Sequence, residues 1–231
     1  MTVEPDLLLE EMTLYAQGYR LIAGLDEAGR GSWAGPVVAG AVILPLNVPD
    51  LRRRLEGVRD SKQLTSEERE RLYDLIQVTA LAVHVGCVPP AYIDEWGIVP
   101  ATRRAMSLAV AGLSLSPDFL LIDFLRLPTM DIPQRGIAKG DTLSLSIAAA
   151  SIVAKVTRDR LMVELEDQYP GYGFARHKGY GTAQHRAALA HLGPSPIHRL
   201  SYAPVAATVR RGENNEQQKS NEQEFTSSDE A

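Results

Sequence analysis

The sequence predicts an α/β fold: a mixed sheet flanked by helices, with a small helical extension at its C-terminal end. Three observations point there. Apolar runs at residues 21–25, 36–44, 80–88 and 119–122 have strand length and stop at turn-forming or charged residues. Longer stretches carry apolar residues at helical spacing. After an opening hairpin, strands and helices alternate, the order of a sheet covered by helices.

The chain has 231 residues, 45% of them hydrophobic, enough for one large domain with a sizeable core. Its single cysteine, Cys87, excludes an internal disulfide and a cysteine-based zinc site. With no signal-like start and no long apolar span, the expectation is a soluble, cytoplasmic protein. The formal net charge is -5, but the acids are unevenly placed. Residues 210–231 are predicted to be a disordered acidic tail, rich in Glu, Asn, Gln and Ser, with too little apolar surface to offset ordering entropy. Without the tail the body is close to neutral, so local basic patches stay compatible with a nucleic-acid partner.

Residues 1–18 read as an N-terminal helical segment whose Leu7, Leu8, Leu9, Met12 and Tyr15 pack inward. The run at 21–25 is a buried strand that breaks off into two adjacent carboxylates, Asp26 and Glu27. Burying one carboxylate is costly and a second beside it repels, so such a pair suits a cation. In Gly29-Arg30-Gly31, the glycines permit close backbone approach to a ligand and the arginine can face a phosphate. Because a strand follows at 36–44, a dinucleotide fingerprint is excluded; a P-loop fails for want of Gly-Lys-Ser/Thr. A hairpin with a carboxylate pair remains.

Asp60-Ser61-Lys62 precedes a helix over 67–76 with Ser66 as its N-cap. Taken alone, Asp60 and Lys62 are solvated loop charges. Residues 80–88 make a strand, with His84 an ordinary strand histidine and Cys87 a small core residue. A helix over 100–113 packs on the sheet, and 119–123 is a second buried strand ending in a carboxylate, Asp123. Lys139-Gly140-Asp141 leads into a long helix beginning near Thr142. Its small residues let it lie close to the sheet, with Ser144, Ala148, Ser151 and Lys155 on one stripe. A glycine-rich basic loop at 173–182 and a helix over 183–192 follow.

Asp26, Glu27, Asp123 and Asp141 therefore stand at element ends, which gather in one crevice of a wound sheet. Four oxygen donors without a His or Cys pattern favour Mg²⁺ or Mn²⁺ over zinc. Two such ions can activate a water and stabilise the leaving oxygen of a phosphodiester.

In these motifs the chain resembles the ribonuclease HII (type 2 ribonuclease H) family. The likeness rests on Asp26-Glu27-Ala28-Gly29-Arg30-Gly31, Asp60-Ser61-Lys62, Leu121-Ile122-Asp123 and Lys139-Gly140-Asp141. It extends to the helix through Lys155, Arg158 and Asp159, to His177-Lys178-Gly179-Tyr180-Gly181-Thr182 and to His198-Arg199-Leu200-Ser201-Tyr202. The resemblance implies a ribonuclease H-like catalytic domain over 19–209. It implies hydrolysis of the RNA strand of RNA–DNA hybrids and cutting 5′ of single ribonucleotides in duplex DNA, giving 3′-hydroxyl and 5′-phosphate ends.

Carried over residue by residue, Asp26, Glu27, Asp123 and Asp141 become catalytic ligands of two metal ions. Gly29, Arg30, Gly31 and Tyr180 become the readers of the 2′-hydroxyl, the group that distinguishes RNA from DNA. Lys62, Lys155, Arg158, Lys178 and Arg199 become candidates for duplex phosphates, with His177 a further candidate nearby. Partners are nucleic acid only, with the protein a monomer. Two features bear on the match. Arg30 separates the chain from ribonuclease HIII, where lysine is typical, and Phe124 replaces the glycine usual after the third acid. A nuclease restricted to long hybrids is the second reading and a non-catalytic duplex binder the third. Four acids count against the binder, because duplex binding needs cations.

Overall fold

The structure, a computed structural model, describes residues 6–210; residues 1–5 and the acidic tail from 211 onward lie outside the described residues. Five strands form one sheet: β1 (Ile22–Ala28), β2 (Val37–Ile43), β3 (Ala82–Val88), β4 (Phe119–Asp123) and β5 (Gln134–Ile137), in the order β3-β2-β1-β4-β5. The first three pair antiparallel; β4 and β5 add parallel to β1. The α-helices are α1 (Leu9–Ala16), α2 (Leu51–Arg54), α3 (Ser66–Thr79), α4 (Pro90–Trp96), α5 (Ile98–Ala111), α6 (Leu145–Gln168), α7 (Phe174–His177) and α8 (Ala183–Leu192). A further helical stretch covers 203–210. The mixed, helix-flanked sheet expected from the sequence is present.

Because β1 and β2 are buried along nearly their whole length, both sheet faces must be covered. Ile22, Val42 and Leu121 face a core built with α1, α3 and α6; Ala23, Leu25, Ala39, Leu120 and Ile122 face a second core built with α5. The α6 backbone lies hard on β1: a Cβ added at Gly24 would sit 2.1 Å from the Ser146 carbonyl carbon. That close approach, allowed by the alanines of α6, brings the N-terminal end of the helix to the carboxyl ends of β1 and β4. Leu7 and Leu14 share the same core, so the N-terminal segment is integral to the layer.

Several boundaries differ from the sequence reading. Thr65, not Ser66, caps α3: its hydroxyl accepts from the Glu68 amide at 3.2 Å while Glu68 returns the bond at 2.7 Å. The long helix begins after a 3₁₀ turn at Gly140–Thr142, with Ser144 as N-cap, so Ser144 stands just outside the helical stripe. β5 went unforeseen, since its four half-buried residues contain no apolar run. Cys87 is exposed rather than in the core. It lies on the edge strand β3, where a side chain on the face opposite α5 is left uncovered.

The C-terminal extension packs Tyr172 and Phe174 against Met162 of α6 and Ala34 of the β1–β2 loop. A bridge between Ala34 and His198 fastens the extension to that loop.

Candidate active site

The acids meet where β1, β4 and the turn before α6 come together. Asp26 is 4% exposed and Asp141 5% exposed, while Glu27 and Asp123 are half-buried. Leu25 pairs with Ile122 in register, which makes Asp26 and Asp123 neighbours across the two strands. The Gly140 amide donates to Asp123 Oδ1 at 2.7 Å and so ties β4 to the turn carrying Asp141.

Charge is poorly compensated here. Burial, then repulsion from Glu27 and Asp123, pushes the Asp26 carboxyl well above its ordinary range; hydrogen bonding from Ser151 and the Glu27 amide opposes this. Burial also raises Glu27, opposed chiefly by Arg30, whose Nη1 lies 3.1 Å from Glu27 Oε1. Asp141 is raised by burial and by Asp60, with Lys62 opposing. Glu27 Oε2 is buried with no hydrogen-bond partner.

Lys62 stands among these acids. Its ammonium is 3.3 Å from Asp141 Oδ2 and 3.8 Å from Asp60 Oδ1. Burial alone would lower its pKa, but Asp60, Asp141 and Asp26 raise it. Asp60, by sequence alone a solvated loop charge, thus belongs to the cluster. The signal was the adjacent Lys62, already singled out. Among the described residues no three Asp, Glu, His or Cys side chains close on a single point; Lys62 and Arg30 stand against the carboxylates instead.

The Gly29-Arg30-Gly31 turn is held from behind. Gly29 has φ 91°, and a Cβ there would fall 2.0 Å from Arg158 Nε, so only glycine fits. A Cβ at Gly31 would meet nothing within 4 Å. Its small size leaves open surface beside Arg30. Arg199 Nη1 and the Tyr202 hydroxyl both donate to the Arg30 carbonyl, at 2.8 and 2.6 Å. Beyond the turn, the Trp33 amide donates to the Gly179 carbonyl at 2.8 Å, which joins this loop to the one bearing Tyr180. The Tyr180 ring has Lys155 Nζ 5.6 Å and Arg158 Cζ 5.5 Å from its centroid.

Arg158 corrects the sequence reading. Expected at a phosphate, it is fully buried and donates to the Pro36 carbonyl at 2.9 Å, the Lys178 carbonyl at 2.9 Å, Ser32 Oγ at 2.7 Å and the Ala34 carbonyl at 3.1 Å. Arg199 is likewise fully buried, spent on the Gly35 and Arg30 carbonyls. Both are clamps on the two loops. Lys178 turns its ammonium onto the Ala175 carbonyl, and the buried His177 accepts from the Gly179 amide and bonds the Tyr172 carbonyl. Lys155, on an Asp159 salt bridge of 2.7 Å, stays partly open beside Tyr180.

Phe124, directly after Asp123, is 68% exposed and has φ 57°. A bulky residue in left-handed backbone is strained by about 1 kcal/mol or more. Phe124→Gly is therefore expected to raise stability by about 1 kcal/mol, read as a higher urea midpoint with an unchanged slope. A lower midpoint would show that the exposed ring packs productively.

The ribonuclease HII family model matches residues 23–205. The chain is 57% identical over 203 residues to a ribonuclease HII of Chloroflexus aggregans, covering 88% of this chain and 95% of that protein. It is also 57% identical over 204 residues to that of Chloroflexus aurantiacus, covering 87% and 94%. Among solved structures, the ribonuclease H2 of Pyrococcus horikoshii superposes with a TM-score of 0.70 at 28% identity, covering 82% of this chain and 97% of that one. Family match, identity over nearly the full length of those relatives and fold all agree. The chain belongs to the ribonuclease HII family and is a ribonuclease H-type endonuclease acting on nucleic acid.

Proposed function

We propose that the chain hydrolyses the RNA strand of RNA–DNA hybrids and also cuts 5′ of a single ribonucleotide embedded in duplex DNA, leaving 3′-hydroxyl and 5′-phosphate ends. The observation that carries the reading is Asp26: a carboxylate 4% exposed, beside two further acids, in the strand that leads into the Gly29-Arg30-Gly31 turn. Ribonucleases H are metal-dependent, and the donor set fits that chemistry. The orphaned Glu27 Oε2 and the raised carboxyls of Asp26, Glu27 and Asp141 would be relieved by a hard divalent cation. Asp26, Glu27, Asp123 and Asp141 would hold Mg²⁺ or Mn²⁺. Two ions held there would supply a water of lowered pKa and charge neutralisation at the scissile phosphate.

The chain's own residues supply position. Arg30, paired with Glu27 at 3.1 Å, would turn to a phosphate where that carboxylate held a cation, and the open surface at Gly31 would admit the sugar edge. Tyr180 offers a ring to the sugar and a hydroxyl to the 2′-oxygen. Lys62, beside Asp141, and Lys155, beside the Tyr180 ring, are the candidates for duplex phosphates. Arg158 serves indirectly, by holding the loops. No helix among the described residues is long and apolar enough to cross a membrane; work in the cytoplasm as a monomer is part of the same proposal.

The test is a DNA duplex with one ribonucleotide, incubated with Mg²⁺ or Mn²⁺ beside a fully hybrid duplex. One cut 5′ of the ribonucleotide is expected, with Tyr180→Ala slower by about 10–100-fold, the worth of one stacking platform. Cleavage of the hybrid alone would replace this reading with that of a nuclease needing several ribonucleotides.

A further inference from the structure

Behind the Tyr180 loop, away from the carboxylates, His177, His185 and His198 are buried at 8%, 0% and 2% exposure. His177 and His185 stack, with ring centroids 4.5 Å apart and planes 12° from parallel. His185 Nε2 and His198 Nε2 are 3.0 Å apart, so one of them carries a proton and the other accepts it.

The surroundings decide which. The Ser195 backbone amide lies 2.9 Å from His198 Nδ1, and an amide N–H can only donate. His198 Nδ1 is therefore the acceptor and the His198 proton sits on Nε2, donated to His185 Nε2. The His185 proton must then sit on Nδ1, which is 3.0 Å from the Tyr180 carbonyl oxygen and donates to it. His177 follows the same rule: the Gly179 amide donates to its Nδ1 at 3.2 Å, so its Nε2–H donates to the Tyr172 carbonyl at 2.8 Å. Every ring has one tautomer compatible with its partners. Burial holds His185 below its ordinary pKa. Burial, with His185 alongside, takes His198 down to about 4, and both rings stay neutral. A second proton on either would set N–H against N–H.

We infer that His198 and His185 are positioning residues: a one-directional hydrogen-bond relay from Ser195 through both rings fixes the Tyr180 carbonyl, and with it the tyrosine that meets the ribonucleotide. The inference rests on the reading of Tyr180 given under Proposed function. Among the described residues the partners of the two rings are Ser195, each other and the Tyr180 carbonyl, with no carboxylate. Loss of the relay weakens recognition of the ribonucleotide and leaves the chemical step alone.

The experiment uses the full chain and two duplexes of one sequence, with and without a single ribonucleotide. KM and kcat are measured on the first and Kd on the second, with thermal unfolding as the check on folding. His198→Met fills the space without a donor; it is expected to raise KM about tenfold with kcat and the all-DNA Kd within about twofold. His198→Gln restores an N–H near the Nε2 position and should recover most of the KM. If His198→Met does not fold, the His185 pair decides: His185→Asn keeps a donor toward the Tyr180 carbonyl and holds KM, and His185→Leu does not. Equal KM for donor-bearing and donor-lacking variants would overturn the relay. Tyr180→Ala separates the two ideas. Unchanged KM in that variant sinks the reading of Tyr180, whereas raised KM there with unaffected relay variants sinks the relay alone.

Discussion

Asp26→Asn is expected to slow cleavage by about 10³-fold while making the metal-free protein more stable. On the proposed role, the loss follows from removing one of the four carboxylates that would hold the metal, set at the scale of about 10²–10³ for one preorganised electrostatic group. The gain follows from burial: Asp26 is 4% exposed and repelled by Glu27 and Asp123, so its ionised form is disfavoured in the folded state. An acid raised on folding binds its proton more tightly when folded than when unfolded. Stability is then greatest below the unfolded pKa and falls as pH rises from there through the raised folded pKa. Glu27, Asp141 and Glu11 are raised too and act with the same sign. Urea unfolding in chelator at several pH values is the measurement. His185 and His198, buried and held below their ordinary pKa, act with the opposite sign in both proteins, so the reading is the difference: the stability of wild type relative to Asp26→Asn should fall as pH rises. A difference that stays flat or grows with pH would contradict the uncompensated cluster.

Replacing Arg158 should unfold the protein more easily without altering how salt affects duplex binding. Arg158→Met leaves three backbone carbonyls and the Ser32 hydroxyl without their buried donor, at a cost of about 3–5 kcal/mol. For a chain of this size each kcal/mol lowers the melting temperature by about 2–4 °C. Burial pulls the guanidinium down to about 10, so it remains charged at neutral pH. Arg158→Lys tests the role directly. A phosphate contact would survive as a point charge, but a clamp with four acceptors in fixed directions is lost with the planar fork. The slope of log affinity against log salt should stay at its wild-type value in variants that fold, whereas a phosphate contact would reduce it by about one. A reduced slope would return Arg158 to the interface.

The acids were legible because each follows a recognisable element: Asp26 and Asp123 close apolar runs of strand length, and Asp141 precedes a helix of small residues. Such runs also revealed the order of most strands and helices. β5 escaped, being too short and too polar to show a period. Asp60 escaped because its place in the cluster comes from a turn ahead of α3 that is brought to the turn ahead of α6, a contact between residues far apart in the chain. For Arg158 and Arg199 the residue type misled, since a basic side chain beside a phosphate site and one buried as a clamp look the same in one dimension.

The sequence by itself determined the family, the sheet and the four carboxylates, because local periodicity and residue chemistry are written along the chain. Which cations pair with the site's acids, which are buried as braces, and which hydrogen-bond direction runs through His198 and His185 were decided only by the tertiary structure. Burial and donor direction depend on neighbours that folding alone brings together.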